Sequence, residues 1–140
     1  MPGKRYPVLW IGTVAVVTLP AEIDVTNADG VREELLSVLN EGAATLIADM
    51  SATTFCDSAG VSALVRSFRR ATASGGAMRL VVGTPAVRRV LALTGVDRLV
   101  EVYPSVAASL AGTPGQPRRE GGQPRREGDE LGDQSPAGAS

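Results

Sequence analysis

The sequence contains no histidine. That absence removes the commonest general base, the commonest zinc ligand and the whole Ser-His-Asp machinery together. A single cysteine, Cys56, allows neither an internal disulfide nor a cysteine metal cage. Lys4 is the sole lysine and stands in an N-terminal stretch expected to fray. Aromatic residues make up only 4% of the chain, so a core has to rest on Val, Leu, Ala and Ile. Long apolar runs are missing too: Gly12 and Thr13 interrupt the first, and Val14 to Leu19 is far too short to span a membrane. No signal-peptide cleavage pattern is present, and the expectation is a cytoplasmic chain in a reducing setting, with no membrane partner. No Gly-x-x-x-x-Gly-Lys run is present for nucleotide phosphates. The sequence therefore calls for no cofactor and no metal.

What remains suits one domain: 140 residues, 44% of them hydrophobic. The net charge of −1 hides an asymmetry. Up to Asp57 the acids are Glu22, Asp24, Asp29, Glu33, Glu34, Glu41, Asp49 and Asp57, against Lys4, Arg5 and Arg32. From Ser58 to Gly112 the arginines 66, 69, 70, 79, 88, 89 and 98 face only Asp97 and Glu101. This is either scattered solvated charge or a dipolar surface that steers a charged partner. The arginines lack the lysines and interleaved aromatics of a nucleic-acid surface, so no direct nucleic-acid partner is expected.

Composition divides the chain into a flexible N-terminus (1–6), an α/β domain (7–112) and a tail (113–140). The tail carries a tandem repeat, Gly115-Gln116-Pro117-Arg118-Arg119-Glu120-Gly121 and Gly122-Gln123-Pro124-Arg125-Arg126-Glu127-Gly128. With Leu131 its only larger apolar residue, it is expected to be disordered.

The domain alternates strands and helices. Val8 to Ile11 and Val14 to Leu19 read as strands around a Gly12-Thr13 turn, the second with the continuous apolar character of a buried strand. Thr26 or Asn27 can cap a helix running to about Asn40, with Val31, Leu35, Val38 and Leu39 on one stripe. Thr45 to Asp49 is a strand, followed by a polar linker from Met50 to Thr54. Ser58 stands before a second helix, with Val61, Leu64, Val65 and Phe68 on one face and Arg66, Arg69 and Arg70 on the other; Ser74-Gly75-Gly76 ends it. Met78 to Val82 is a strand. Thr84-Pro85 opens a third helix that buries Val87, Val90 and Leu91 and stops at Gly95. Leu99 to Val102 is the last strand, and Pro104 opens a helix to about Leu110. The order β-β-α-β-α-β-α-β-α implies a four- to five-stranded mixed, mainly parallel sheet covered by about four amphipathic helices.

The segment from Met50 to Gly60 stands out. It sets Asp49, Asp57 and Ser58 between the carboxyl end of a strand and the amino end of a helix, where function collects in open α/β sheets. A phosphate on Ser58 would lie beside the amides of Ala59, Gly60 and Val61 and near Asp57, with Asp24 as a further candidate neighbour. The plain alternative is that Ser58 or Asp57 merely caps the helix. Gly60 keeps the loop close to its helix. Cys56 reads as a small buried hydrophobe, since no group that would activate its thiol is visible. No Gly-x-Ser-x-Gly elbow surrounds Ser58, which argues against an enzyme.

Three stretches resemble the STAS domain of bacterial anti-anti-sigma factors, the antagonists of anti-sigma factors. Leu19-Pro20-Ala21-Glu22-Ile23-Asp24 is similar to the family's Leu-x-Gly-Glu-Leu-Asp. Leu46-Ile47-Ala48-Asp49-Met50-Ser51 with Phe55-Cys56-Asp57-Ser58-Ala59-Gly60-Val61 is similar to its strand and Phe-x-Asp-Ser-Ser-Gly-Leu signature. Gly83 to Leu91 with Thr94-Gly95-Val96 is similar to the helix that follows. Ala21 and Ala59 stand where the family has glycine and a second serine. The resemblance implies a STAS-like single domain that is not an enzyme. Ser58 would be phosphorylated by an anti-sigma serine kinase, and Asp24, Asp57, Ser58, Ala59 and Gly60 would belong to the partner-binding surface. The unphosphorylated form would bind that kinase and release a sigma factor; phosphorylation would block binding and a phosphatase would reset it. The alternative is a STAS-type structural or ligand-sensing subunit of a signalling or transport complex, with no phosphate.

Overall fold

A computed structural model of the chain describes residues 6–112. The N-terminal residues 1–5 and the repeat-bearing tail, expected to be flexible, lie outside the described residues. A five-stranded sheet forms the centre, in the order β1-β2-β4-β6-β7. Its strands are β1 (Val8–Ile11), β2 (Val14–Thr18), β4 (Thr45–Met50), β6 (Ala77–Val82) and β7 (Glu101–Tyr103). The β1–β2 pair is an antiparallel hairpin, turned at Gly12 with φ +61°, and every other pairing is parallel. The expected mixed, mainly parallel sheet is present.

Strand alternation sorts the core into two layers. Ala15, Val17, Leu46, Ala48, Met50, Met78, Leu80 and Val82 point to one face, where they join residues of α1 (Ala28–Asn40), α2 (Ser58–Ala73) and α3 (Pro85–Thr94) in the main core. Val16, Ile47 and Val81 point to the other, where Val106 of the short α4 (Val106–Ala111) packs on them. On this second face Leu9, Val16, Ile47, Arg79 and Glu101 follow one another in register across the sheet. Arg79 is 6% exposed and holds α4 down. It donates to the Ser109 carbonyl at 2.6 Å, pairs with Glu101 at 3.5 Å and lies 5.8 Å from the centre of the Tyr103 ring.

Local signals work at α3, where Thr84 accepts from the Val87 amide, Pro85 opens the helix and Gly95 closes it at φ +82°. Elsewhere tertiary packing overrides them. The buried face of α2 is Gly60, Ala63, Leu64, Ser67 and Ala71, with Val61, Val65 and Phe68 half-buried at its flanks. The small residues beside Leu64 let the helix approach closely, and Val61, Val65 and Phe68 pack against the core as expected. On α3, Val87 and Leu91 carry the buried contact and Val90, expected to be buried, is half-buried at its flank. The last strand is Glu101–Tyr103, not Leu99 to Val102. A 3-10 turn at Val96–Arg98 intervenes, buries Val96 and Val100, and turns Leu99 outward. Asn27 occupies the cap position of α1, yet neither it nor Thr26 caps with its side chain. Asn27 instead donates to the Glu22 carbonyl at 2.8 Å and accepts from the Asp24 amide at 3.0 Å.

Candidate functional site

Two short segments meet where the sequence shows no periodicity. β3 (Glu22–Ile23) and β5 (Phe55–Cys56) form a separate parallel ladder, Glu22 opposite Phe55 and Ile23 opposite Cys56. The Thr54 amide donates to the Ala21 carbonyl at 2.8 Å, and the Asp57 amide to the Ile23 carbonyl at 3.1 Å. The linker before β5 is therefore more than a polar connection. Met50 completes β4 in the core, and Thr53, 0% exposed, donates to the Pro20 carbonyl at 2.8 Å and accepts from the Thr84 hydroxyl at 3.1 Å. One residue beyond the ladder stand Asp24 on one strand and Asp57 on the other, which brings the separated sequence candidates to one end of the domain.

Asp57, not Ser58, is the cap. Its Oδ1 accepts from the amides of Ala59 at 2.9 Å and Gly60 at 3.1 Å, and its carbonyl accepts from Val61 at 2.9 Å. This corrects the expectation that those three amides would cradle a phosphate on Ser58: all are already engaged. Ser58 is the first residue of α2 and exposed, while Ala59 is half-buried. A phosphate there would gain from the helix dipole and meet the Asp57 carboxylate as a like charge.

Gly60 is buried and its role is spatial. A Cβ at this position would lie 2.6 Å from Cys56 Sγ and 2.8 Å from Ile23 Cγ2. Its absence lets the first turn of α2 rest on the small ladder. Cys56 fills the space beneath, 3% exposed. Burial, with the Asp57 charge second, pushes its thiol up to about 11, so it stays protonated and unreactive near neutrality. Asp24 is held by its loop. Thr26 donates to Asp24 Oδ1 from both hydroxyl and amide, which keeps the carboxyl below its ordinary range.

Around Ser58 lie residues that carry no signal in the sequence. Val25 is 77% exposed and Phe55 50% exposed, two apolar side chains on the surface beside the acids. Phe55 faces outward because its neighbour Cys56 in the two-residue strand is buried. A groove of about 210 Å³ runs from this surface between α1 and α2, floored by Ala28, Ala59 and Ala63 and flanked by Arg32 and Arg66. Among the described residues no group of His, Cys, Asp and Glu could hold a metal ion, and no helix is long and apolar enough to cross a membrane.

A family model for the STAS domain matches residues 8–109. The chain belongs to the STAS domain family. Among solved structures, this STAS domain is similar to an anti-sigma factor antagonist from Mycobacterium paratuberculosis, with 28% identity and a TM-score of 0.69 over 75% of this chain and 89% of that one. It shares 26% identity over 106 residues, 75% of this chain and 94% of the relative, with a candidate anti-sigma factor antagonist of Thermotoga maritima. The unphosphorylated form of the anti-sigma factor antagonist SpoIIAA, 21% identical, has the same fold with a TM-score of 0.65 over 75% of this chain and 92% of that one.

Proposed function

We propose that this STAS domain is a cytoplasmic anti-sigma factor antagonist whose binding is switched by phosphorylation of Ser58. The unphosphorylated form binds an anti-sigma serine kinase and so releases a sigma factor. The phosphorylated form does not bind, and a phosphatase restores it. One observation carries this reading: Ser58 is exposed directly beside a capping carboxylate, on a surface that also holds Asp24, Val25 and Phe55. A hydroxyl there is open to a kinase, and its modification changes a mixed apolar and acidic surface without entering the core. Adding about −1.5 to −2 charge beside Asp57 turns a surface that admits a partner into one that repels it. Asp24, Asp57 and Ala59 contribute to the contact, and Gly60 supports it from beneath. The domain works by binding, with no catalysis of its own.

Incubation with the cognate kinase and ATP, followed by mass-spectrometric mapping, tests the acceptor. The expected label is on Ser58 and vanishes in Ser58→Ala. Label elsewhere, or undiminished labelling of the variant, refutes the assignment.

A further inference from the structure

We propose that the groove between α1 and α2 is a second contact for the same anti-sigma partner, and that it receives an acidic side chain, an aspartate or glutamate, from it. This inference rests on the antagonist reading above and adds the chemistry of the partner's docking element.

The charge of the groove is the first argument. Arg32 and Arg66 flank it, against the single acid Asp29. Asp29 lies 3.6 Å from Arg32, but its side chain is 89% exposed, so water screens much of that attraction. Arg66 is exposed and makes no ion pair among the described residues. A guanidinium in this state is suited to a bidentate carboxylate contact.

Size is the second. At about 210 Å³ the groove falls below the roughly 300–1,000 Å³ of pockets that enclose small-molecule ligands. It has room for a side chain or two from a docking protein. Its floor of Ala28, Ala59 and Ala63 supplies that room without a polar group left to satisfy.

Continuity is the third. Ala59 follows Ser58, Val25 follows Asp24, and both residues line the groove. A protein partner that covers about 800 Å² on each side and is centred near Ser58 reaches the adjoining groove. The basic groove beside the acidic Asp24–Asp57 surface gives the partner two contacts of opposite sign, which fixes its orientation.

The test measures affinity and association rate of the full chain for its anti-sigma kinase, using Arg66→Glu, Arg66→Gln, Arg66→Lys, Arg69→Glu and Ser58→Glu, with thermal melting to verify folding. Arg66→Glu is expected to weaken binding by about tenfold or more, largely through faster dissociation, and Arg66→Gln by several-fold. Arg66→Lys keeps most of the affinity. Arg69→Glu, on the same helix but outside the groove, stays within about threefold of wild type. Restoration of Arg66→Glu binding by reversing one acid of the partner to arginine identifies the occupant. If Ser58→Glu abolishes binding while Arg66→Glu and Arg66→Gln bind like wild type, the groove inference is overturned and the Ser58 switch stands. Equal losses in Arg66→Glu and Arg69→Glu overturn it too, as general charge steering. If the Arg66 variants lose binding but Ser58→Glu does not, the groove contact stands and the Ser58 switch falls. If the wild-type chain binds no anti-sigma factor, both fail together.

Discussion

The assignment of Asp57 as the cap of α2 makes a graded prediction. Replacing Asp57 with alanine removes the oxygen that accepts from Ala59 and Gly60. Loss of such a cap costs about 0.5–2 kcal/mol. Loss of a negative charge at a helix amino end costs about 0.3–1 kcal/mol, and the two effects overlap. Asp57→Ala is therefore expected to lose about 1–2 kcal/mol in total. For a domain of this size that lowers the melting temperature by roughly 4–12 °C. Asp57→Asn keeps an acceptor oxygen and loses only the charge, so its loss is about 0.3–1 kcal/mol. Ser58→Ala removes a hydroxyl that does not cap and places a strong helix former at the first position, so stability stays within about 0.5 kcal/mol of wild type. Urea unfolding followed by far-UV circular dichroism measures all three on one scale. An Asp57→Ala variant as stable as wild type, or a Ser58→Ala variant that loses as much, refutes the cap assignment.

Further predictions come from the surrounding groups. With its thiol buried and pushed up to about 11, Cys56 is expected to resist alkylation at pH 8 in the native chain and to react rapidly in denaturant; fast native labelling contradicts this. Because the folded value lies above the ordinary 9.0, the contribution of Cys56 to stability is full below pH 9.0 and is lost as pH rises towards 11, which unfolding curves across that window detect. Asp24 has the opposite sign. Its depressed carboxyl favours the fold above the ordinary carboxylate range, and that contribution fades as pH falls through the depressed value. Thr26→Ala should move the Asp24 titration, followed by NMR, back up; an unchanged titration refutes the hydrogen-bond cause. Arg79→Ala removes the side chain that bonds Ser109 and pairs with Glu101, at an expected loss of about 1–3 kcal/mol, with faster hydrogen exchange in α4 than in α2. Exchange unchanged in α4 would falsify the tether.

The sheet was legible because β2, β4 and β6 are near-continuous apolar runs, and α1 and α3 because their stripes and punctuation agree. The apolar face of α2 is legible too, since Leu64 lies in the core with Val61, Val65 and Phe68 packed against it, but size alone does not reveal that Gly60, Ala63, Ser67 and Ala71 are buried beside them. β3 and β5 had no signal at all. Two residues have no period, and Glu22 and Phe55 meet only through the chain's return across the sheet. That ladder turns three sequence candidates, Asp24, Asp57 and Ser58, into one surface. The rivalry between Asp57 and Ser58 as cap was likewise beyond sequence, since adjacent residues of similar propensity differ here only in where their oxygens point. Sequence places Arg66 on the polar face of α2 and counts Arg32 among the charges, but only the packing of α1 against α2 sets the two beside one groove.

The most direct test of the switch compares the unmodified chain with the same chain phosphorylated stoichiometrically at Ser58. Affinity for the anti-sigma kinase and stability in urea are measured on both. The expected result is a fall in affinity of about a hundredfold or more, equivalent to about 2.7 kcal/mol, while stability changes by less than about 1 kcal/mol. Equal affinity for the two forms, or a loss of binding matched by a loss of folding, contradicts it.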